Sequence, residues 1–189
     1  MNFSNNSILV DIYFNNISKL LSSILLVVVG SILLTISAKI SVPFYPVPMT
    51  LQTLIVLFIG LTYGRILAPM AVSLYLFQGM IGLPVFASGG GLAYLLGPTG
   101  GYLIGFLASA IILSQLSNIG WNRNYISTFV SLIVGTLVIF SCGLLQLSVV
   151  LGKSILDSAI LGLAPFIYGE IFKILILLVL VPYISKKSI

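Results

Sequence analysis

Histidine is absent from this 189-residue sequence, cysteine occurs once and acidic side chains occur three times. These scarcities exclude most catalytic chemistry. There is no imidazole to act as a base, and the carboxylates Asp11, Asp157 and Glu170 are spread over the whole chain, so no acid–base pair, triad or metal-ligand cluster can be assembled from neighbours in sequence. Cys142 stands alone in an apolar run, which rules out an intramolecular disulfide and offers no thiolate cluster. Neither an enzyme activity, nor a metal, nor a cofactor is expected. Gly152-Lys153-Ser154 matches the end of a phosphate-binding loop, but Leu147 occupies the position of the required earlier glycine, and the match is read as accidental.

Charge of either sign is also scarce, at 6% of residues, while 59% are hydrophobic. A soluble domain carries roughly a quarter charged residues, so this chain cannot cover its own surface with polar groups in water. Lipid is the solvent that fits. The net charge of +5 comes from lysines and arginines scattered singly, without the basic patch or aromatic-interleaved stripe of a nucleic-acid surface. Their use is topological. Residues 1–16 are Asn-rich and lack a charged segment leading into an apolar run and a cleavage site. They read as a polar tail or interfacial helix rather than a secretory signal.

Long apolar runs are what the chain does have. A bilayer core takes about 20 apolar residues as a helix, and residues 20–38, 49–64, 66–83, 100–116, 126–147 and 165–184 come close to that length. The expectation is an all-α integral membrane protein, with a polar segment over residues 1–19 and a six-transmembrane-helix bundle over 20–189. With a cytoplasmic N-terminus, Lys19, Arg65, Arg123, Lys186 and Lys187 fall inside while Lys39 and Lys153 fall outside, five against two. The excess of basic residues places both termini in the cytoplasm of a multi-pass protein of the cell (inner) membrane. The connections then differ by side. The inner turn Tyr63-Gly64-Arg65 is minimal, whereas the outer loops 39–48, 84–99 and 152–164 are longer and chemically richer, as expected of ligand-binding loops.

Four features stand out within this frame. Pro43, Pro46 and Pro48 forbid a helix and favour an extended loop, after which Thr50, Gln52 and Thr53 open the second helix. A threonine there can serve as a cap. Gln52 is not explained that way, because its amide is expensive in lipid unless it faces a cavity. The run Gly89-Gly90-Gly91 lets the backbone approach a ligand closely, and the apolar, aromatic sequence after it suits a cavity-lining segment better than a linker. Gly97, Gly101, Gly105 and Ser109 recur every four residues and favour close helix packing. Gly30, Ser31, Thr35 and Ala38 form a shorter small-residue face on the first helix, suited to an internal contact or to an external partner. Finally, Glu170 and Lys173 are neighbours on one helix. Ionisable residues inside an apolar segment usually mark a site or a pathway, although a self-neutralising pair can also lock packing.

Taken together, these stretches resemble the BioY family, the biotin-binding S components of energy-coupling-factor (ECF) vitamin transporters. The matching residues are Ala38-Lys39-Ile40, Pro46-Val47-Pro48-Met49-Thr50-Leu51-Gln52-Thr53, Ile81-Gly82-Leu83-Pro84-Val85-Phe86, Leu96-Gly97-Pro98-Thr99-Gly100-Gly101-Tyr102 and residues 165–173. The last stretch departs from the family's usual pattern, with Glu170 in place of an aspartate three residues before the lysine. The resemblance implies a six-helix membrane subunit that captures biotin at the outer face, for uptake powered by ATP hydrolysis elsewhere. It implies a substrate site of Thr50, Gln52, Gly90, Gly91, Tyr94, Tyr102, Glu170 and Lys173, with Glu170 accepting from the ureido nitrogens and Lys173 meeting a carbonyl or carboxylate oxygen. It also implies an ECF coupling transmembrane subunit and two ATPase subunits as partners, docked on the face of Gly30, Ser31, Thr35 and Ala38, or a homo-oligomer where those are absent. The rival readings are an S component for a different vitamin and a non-transporting membrane scaffold.

The orientation is directly testable. A reporter active only outside the cytoplasm is expected to be silent when fused after Ile189 and active when inserted within residues 152–164. The reverse pattern would overturn the assignment.

Overall fold

The computed structural model describes residues 19–186. The polar N-terminal segment and Lys187 lie outside the described residues, apart from Lys19 at the start of the first helix.

The chain is helical along nearly all of that length. Helix α1 (Lys19–Lys39) is rich in Leu, Ile and Val, and several of its hydroxyls turn back on their own backbone: Thr35 Oγ1 donates to Ser31 O at 3.0 Å and Ser37 Oγ to Leu34 O at 2.8 Å. Such bonds satisfy hydroxyls that have no water to turn to. The prolines then stop the helix, and the chain forms a short antiparallel hairpin. Its strands β1 (Ser41–Val42) and β2 (Met49–Thr50) pair Ser41 with Thr50 and Val42 with Met49, and the Tyr45–Pro46 peptide is cis. Leu51 N donates to Ser37 O and Ile40 O, pinning the hairpin to the end of α1.

Helix α2 (Gln52–Thr62) gives way at Tyr63 to α3 (Gly64–Met80). The reversal uses Gly64 at φ 82°, a conformation only glycine adopts without strain. A glycine-rich loop leads into the short α4 (Leu92–Leu96), followed by α5 (Gly100–Asn118). Asn124 accepts from Ser127 N at 2.9 Å to cap α6 (Tyr125–Leu151), and Ser154 caps α7 (Ile155–Gly162). A 3-10 turn (Ala164–Phe166) enters α8 (Ile167–Lys186).

Each of the six apolar segments contains a helix, but the lengths differ from expectation. Four segments are long and apolar enough to cross a membrane: Lys19–Lys39, Gly100–Asn118, Tyr125–Leu151 and Ile155–Lys186. Helix α2 has 11 residues, about 16 Å at 1.5 Å per residue, well short of a hydrocarbon core of about 30 Å. It starts late because Met49 and Thr50 are held in the hairpin. Helices α4 and α7 form inside segments read from sequence as loops, where a local run of apolar residues meets a glycine turn or a serine cap.

Packing follows the small residues. Along α5, a Cβ on Gly101 would lie 2.3 Å from Cys142 O and one on Gly105 would lie 2.9 Å from the Ile139 backbone, so α5 and α6 touch almost backbone to backbone. Ser109 continues that face, against Gly135. Gly97 does not belong to it, because it terminates α4 in an extended conformation. On α1, Gly30 packs on Ala71 and Tyr63, Ser31 Oγ donates to Gln78 Oε1, and Ala38 is buried. Together with the half-buried Thr35, these residues pack within the bundle, mainly against α3. The face expected to receive a partner is therefore an internal one, because small residues allow this close approach.

Gly101→Leu is expected to cost about 1–3 kcal/mol through overpacking, read as a fall of several degrees in the thermal unfolding midpoint. Ile104→Leu, on the exposed side of the same helix, should leave the midpoint unchanged.

Candidate functional site

At one end of the bundle, the hairpin, the start of α2, the loop after α3 and the entries of α5 and α8 surround a cavity of about 500 Å³, part of it open to solvent. Its walls are mostly apolar and aromatic, with Phe86, Tyr94, Phe106, Phe140 and Phe166 among the lining residues. The rings brace one another. Phe86 stands between Tyr75 and Tyr94, with centroids 5.4 and 5.1 Å away, and Phe140 stands between Tyr102 and Phe166 at 5.8 and 6.1 Å. These separations are those of favourable aromatic pairs.

The polar groups form two networks. In the first, Lys173 Nζ donates to Glu170 Oε1 at 2.6 Å, Thr50 O at 2.7 Å and Thr53 Oγ1 at 2.8 Å, and Thr53 Oγ1 donates in turn to Glu170 Oε1 at 2.8 Å. An ammonium has three protons, and all three are used here by the protein. Glu170 and Lys173 are only 6% and 5% exposed, so each depends on the other for neutrality. Glu170 Oε2, in contrast, is buried without a hydrogen-bond partner. In the second network, Thr50 Oγ1 donates to Gln52 Oε1, Gln52 Nε2 donates to Tyr75 Oη at 2.7 Å, and Tyr75 Oη donates to Val85 O at 3.2 Å. This chain of bonds ties the hairpin to the glycine-rich loop.

Of the residues singled out from sequence, Thr50, Gln52, Tyr94, Tyr102 and Glu170 line the cavity. Lys173 sits behind Glu170 rather than on the cavity wall. Gly90 and Gly91 are also off the wall and shape the loop's backbone. A Cβ on Gly90 would meet Leu83 O at 2.2 Å, and Gly91, at φ 99°, donates its N–H to Gly79 O. Tyr102 presents its ring to the cavity while its hydroxyl donates to Gly162 O at 2.8 Å.

Sequence reasoning missed several contributors. Thr53 read as a possible cap but bridges both members of the ion pair. Tyr75, fully buried in α3, carried no signal distinguishing it from a core aromatic. Gln146 Nε2 donates to Leu95 O and Gly97 O at 2.7 and 2.8 Å, holding α4 and its Tyr94 in place. An amide in the long apolar α6 was the available cue for that role.

Comparison with known proteins gives a consistent picture. The BioY family model matches residues 9–188. The chain is 32% identical to the probable biotin transporter BioY of Rickettsia prowazekii, over 98% of each chain. It is 30% identical to the biotin transporter BioY of Thermotoga maritima, over 83% of this chain and 92% of that one. The fold is similar to the crystal structure of an S-component for biotin from an ECF-type ABC transporter, with a TM-score of 0.78 at 26% identity, covering 88% of this chain and 92% of that one.

Thr53→Val removes a hydroxyl that serves both charged residues and should destabilise the fold by about 1–3 kcal/mol. A thermal unfolding scan of the purified variant reads that loss; an unchanged midpoint would contradict the network.

Proposed function

We propose, since the chain belongs to the BioY family, that it captures biotin from outside the membrane for uptake into the cell. The observation that carries this reading is the unpartnered Oε2 of Glu170, on a residue that lines an otherwise aromatic cavity. A buried carboxylate oxygen without a donor calls for one. Biotin's ureido ring brings two N–H donors, and an N–H···O⁻ bond in such a setting is strong. The thioether ring and the alkyl tail suit the walls of Phe86, Phe106, Phe140 and Phe166.

Lys173 acts from behind. It holds Glu170 in place, and with its protons already used it contributes to the ligand through Glu170 rather than by a direct bond. Gln52 and Thr50 keep lone pairs and one N–H free for the ligand's remaining polar groups. The chain is thus a transporter subunit that binds and releases, without bond-making chemistry of its own. Completion of the cycle rests on the partners of an ECF transporter, a coupling transmembrane subunit and two ATPase subunits. A multi-pass arrangement with six crossings, both termini cytoplasmic and the cavity outward fits the bias of basic residues and the clustering of the site at one end.

Purified protein in lipid nanodiscs is expected to bind biotin saturably in a titration. Glu170→Gln alone should weaken binding about 10- to 100-fold and also lower thermal stability, because Lys173 is left as an uncompensated buried charge. The pair Glu170→Gln with Lys173→Met removes that charge and should recover stability without recovering affinity. Absence of saturable biotin binding by the unaltered protein would sink the proposal, as would full affinity in the neutral double variant.

A further inference from the structure

Biotin, on the reading above, is an anion at neutral pH, and the cavity holds no free cation to meet it. Among the described residues that line it, the one charged side chain is Glu170. Lys173 behind it spends its three protons on Glu170, Thr50 and Thr53. A carboxylate carried into this space meets a net-neutral pair whose cavity-lining member has its own sign. If the ureido end lies at Glu170, the acid end of an extended molecule points away from it and needs a positive group at the rim.

Lys39 is such a group. It ends α1 as an exposed residue, and its Nζ donates to Phe86 O at 2.6 Å. The ring of Phe86 and the next residue, Ala87, both line the cavity. On the other side, Leu51 N is bonded to Ser37 O and Ile40 O, which sets the backbone around Lys39 beside Thr50 and Gln52 of the opposite wall. The ammonium therefore stands at the seam between the hairpin and the glycine-rich loop. No ion pair forms there: the salt bridge among the described residues is that of Glu170 with Lys173. One Nζ proton is committed to Phe86 O, which fixes the position of the group, and two remain.

We infer that Lys39 receives the carboxylate of the bound ligand, so that the site selects the free acid over uncharged derivatives. The contact is a charge-assisted hydrogen bond at a partly wet rim, so it is screened by salt. It adds a specificity determinant at the opposite end of the ligand from Glu170, and it rests on the biotin reading given above.

The test uses the full chain in nanodiscs of uncharged phosphatidylcholine, titrated with biotin and with biotinamide, at low and at high salt. The unaltered protein should prefer biotin by about 5- to 20-fold at low salt, and less at high salt. Lys39→Gln, which keeps a donor for Phe86 O, should lose that preference by weakening biotin while leaving biotinamide unchanged. Lys39→Arg should retain it. Biotinamide binding also reports that each variant is folded. Equal weakening of both ligands in Lys39→Gln would overturn the inference and reduce Lys39 to a loop brace, as would an unaltered protein that does not distinguish the two. Failure of the unaltered protein to bind either compound would instead overturn the biotin reading, and this inference with it.

Discussion

The site depends on one buried ion pair that has to be neutral, fully donated and fixed within an apolar bundle. Lys173 cannot be left with an idle proton, and its three bonds reach three different parts of the chain: Glu170 on its own helix, the Thr50 carbonyl at the end of the hairpin, and Thr53 in the first turn of α2. Removing a charge from water is costly unless every polar group around it is paired. Satisfying this lysine therefore draws the hairpin, α2 and α8 together, and the cavity is what their meeting leaves open. Glu170 Oε2 stands as the exception in that arrangement, buried without a hydrogen-bond partner on a residue that lines the cavity.

The second network extends the constraint to the far wall. Gln52, Tyr75 and Val85 form a line of hydrogen bonds from α2 across α3 to the glycine-rich loop, while Gln146 grips the two carbonyls that flank the end of α4. Loops at the end of a bundle are ordinarily its most adaptable parts. Here both cavity-forming loops are tied to helices by side-chain amides, so the aromatic walls are set before any ligand arrives. Preorganisation of this kind reduces the ordering cost of binding.

Much of this was legible in the sequence because membranes penalise polarity. Gln52, Glu170 and Lys173 stood out as polar groups that lipid would not tolerate without a reason, and the structure gathers all three near one cavity. The glycines at 101 and 105 signalled a close helix contact by their spacing, and the structure supplies α6 as the partner. What stayed hidden had no such cost attached. Tyr75 is an aromatic in an apolar helix until its hydroxyl is seen between Gln52 and Val85. Whether the small face of α1 turned inward or outward depended on what lay opposite, and only the fold supplies Ala71, Tyr63 and Gln78. The second apolar segment already read as short, with polar residues at its start; where α2 begins was hidden because Met49 and Thr50 are compatible with a helix and leave it only through pairing with Ser41 and Val42.

That short helix has a structural meaning of its own. Most of α2 is enclosed by other helices, so it has little lipid to match along its flank and can stop early without thinning the bilayer around it. The column of protein it begins is left unfinished above Gln52, and the segment just before it, Val47 to Thr50, supplies part of the lining of the resulting gap. A molecule resting there takes the place of the missing turns. Bound substrate would then be a structural element of the bundle as well as its cargo, and the empty and loaded subunits would present different ends to whatever inspects them.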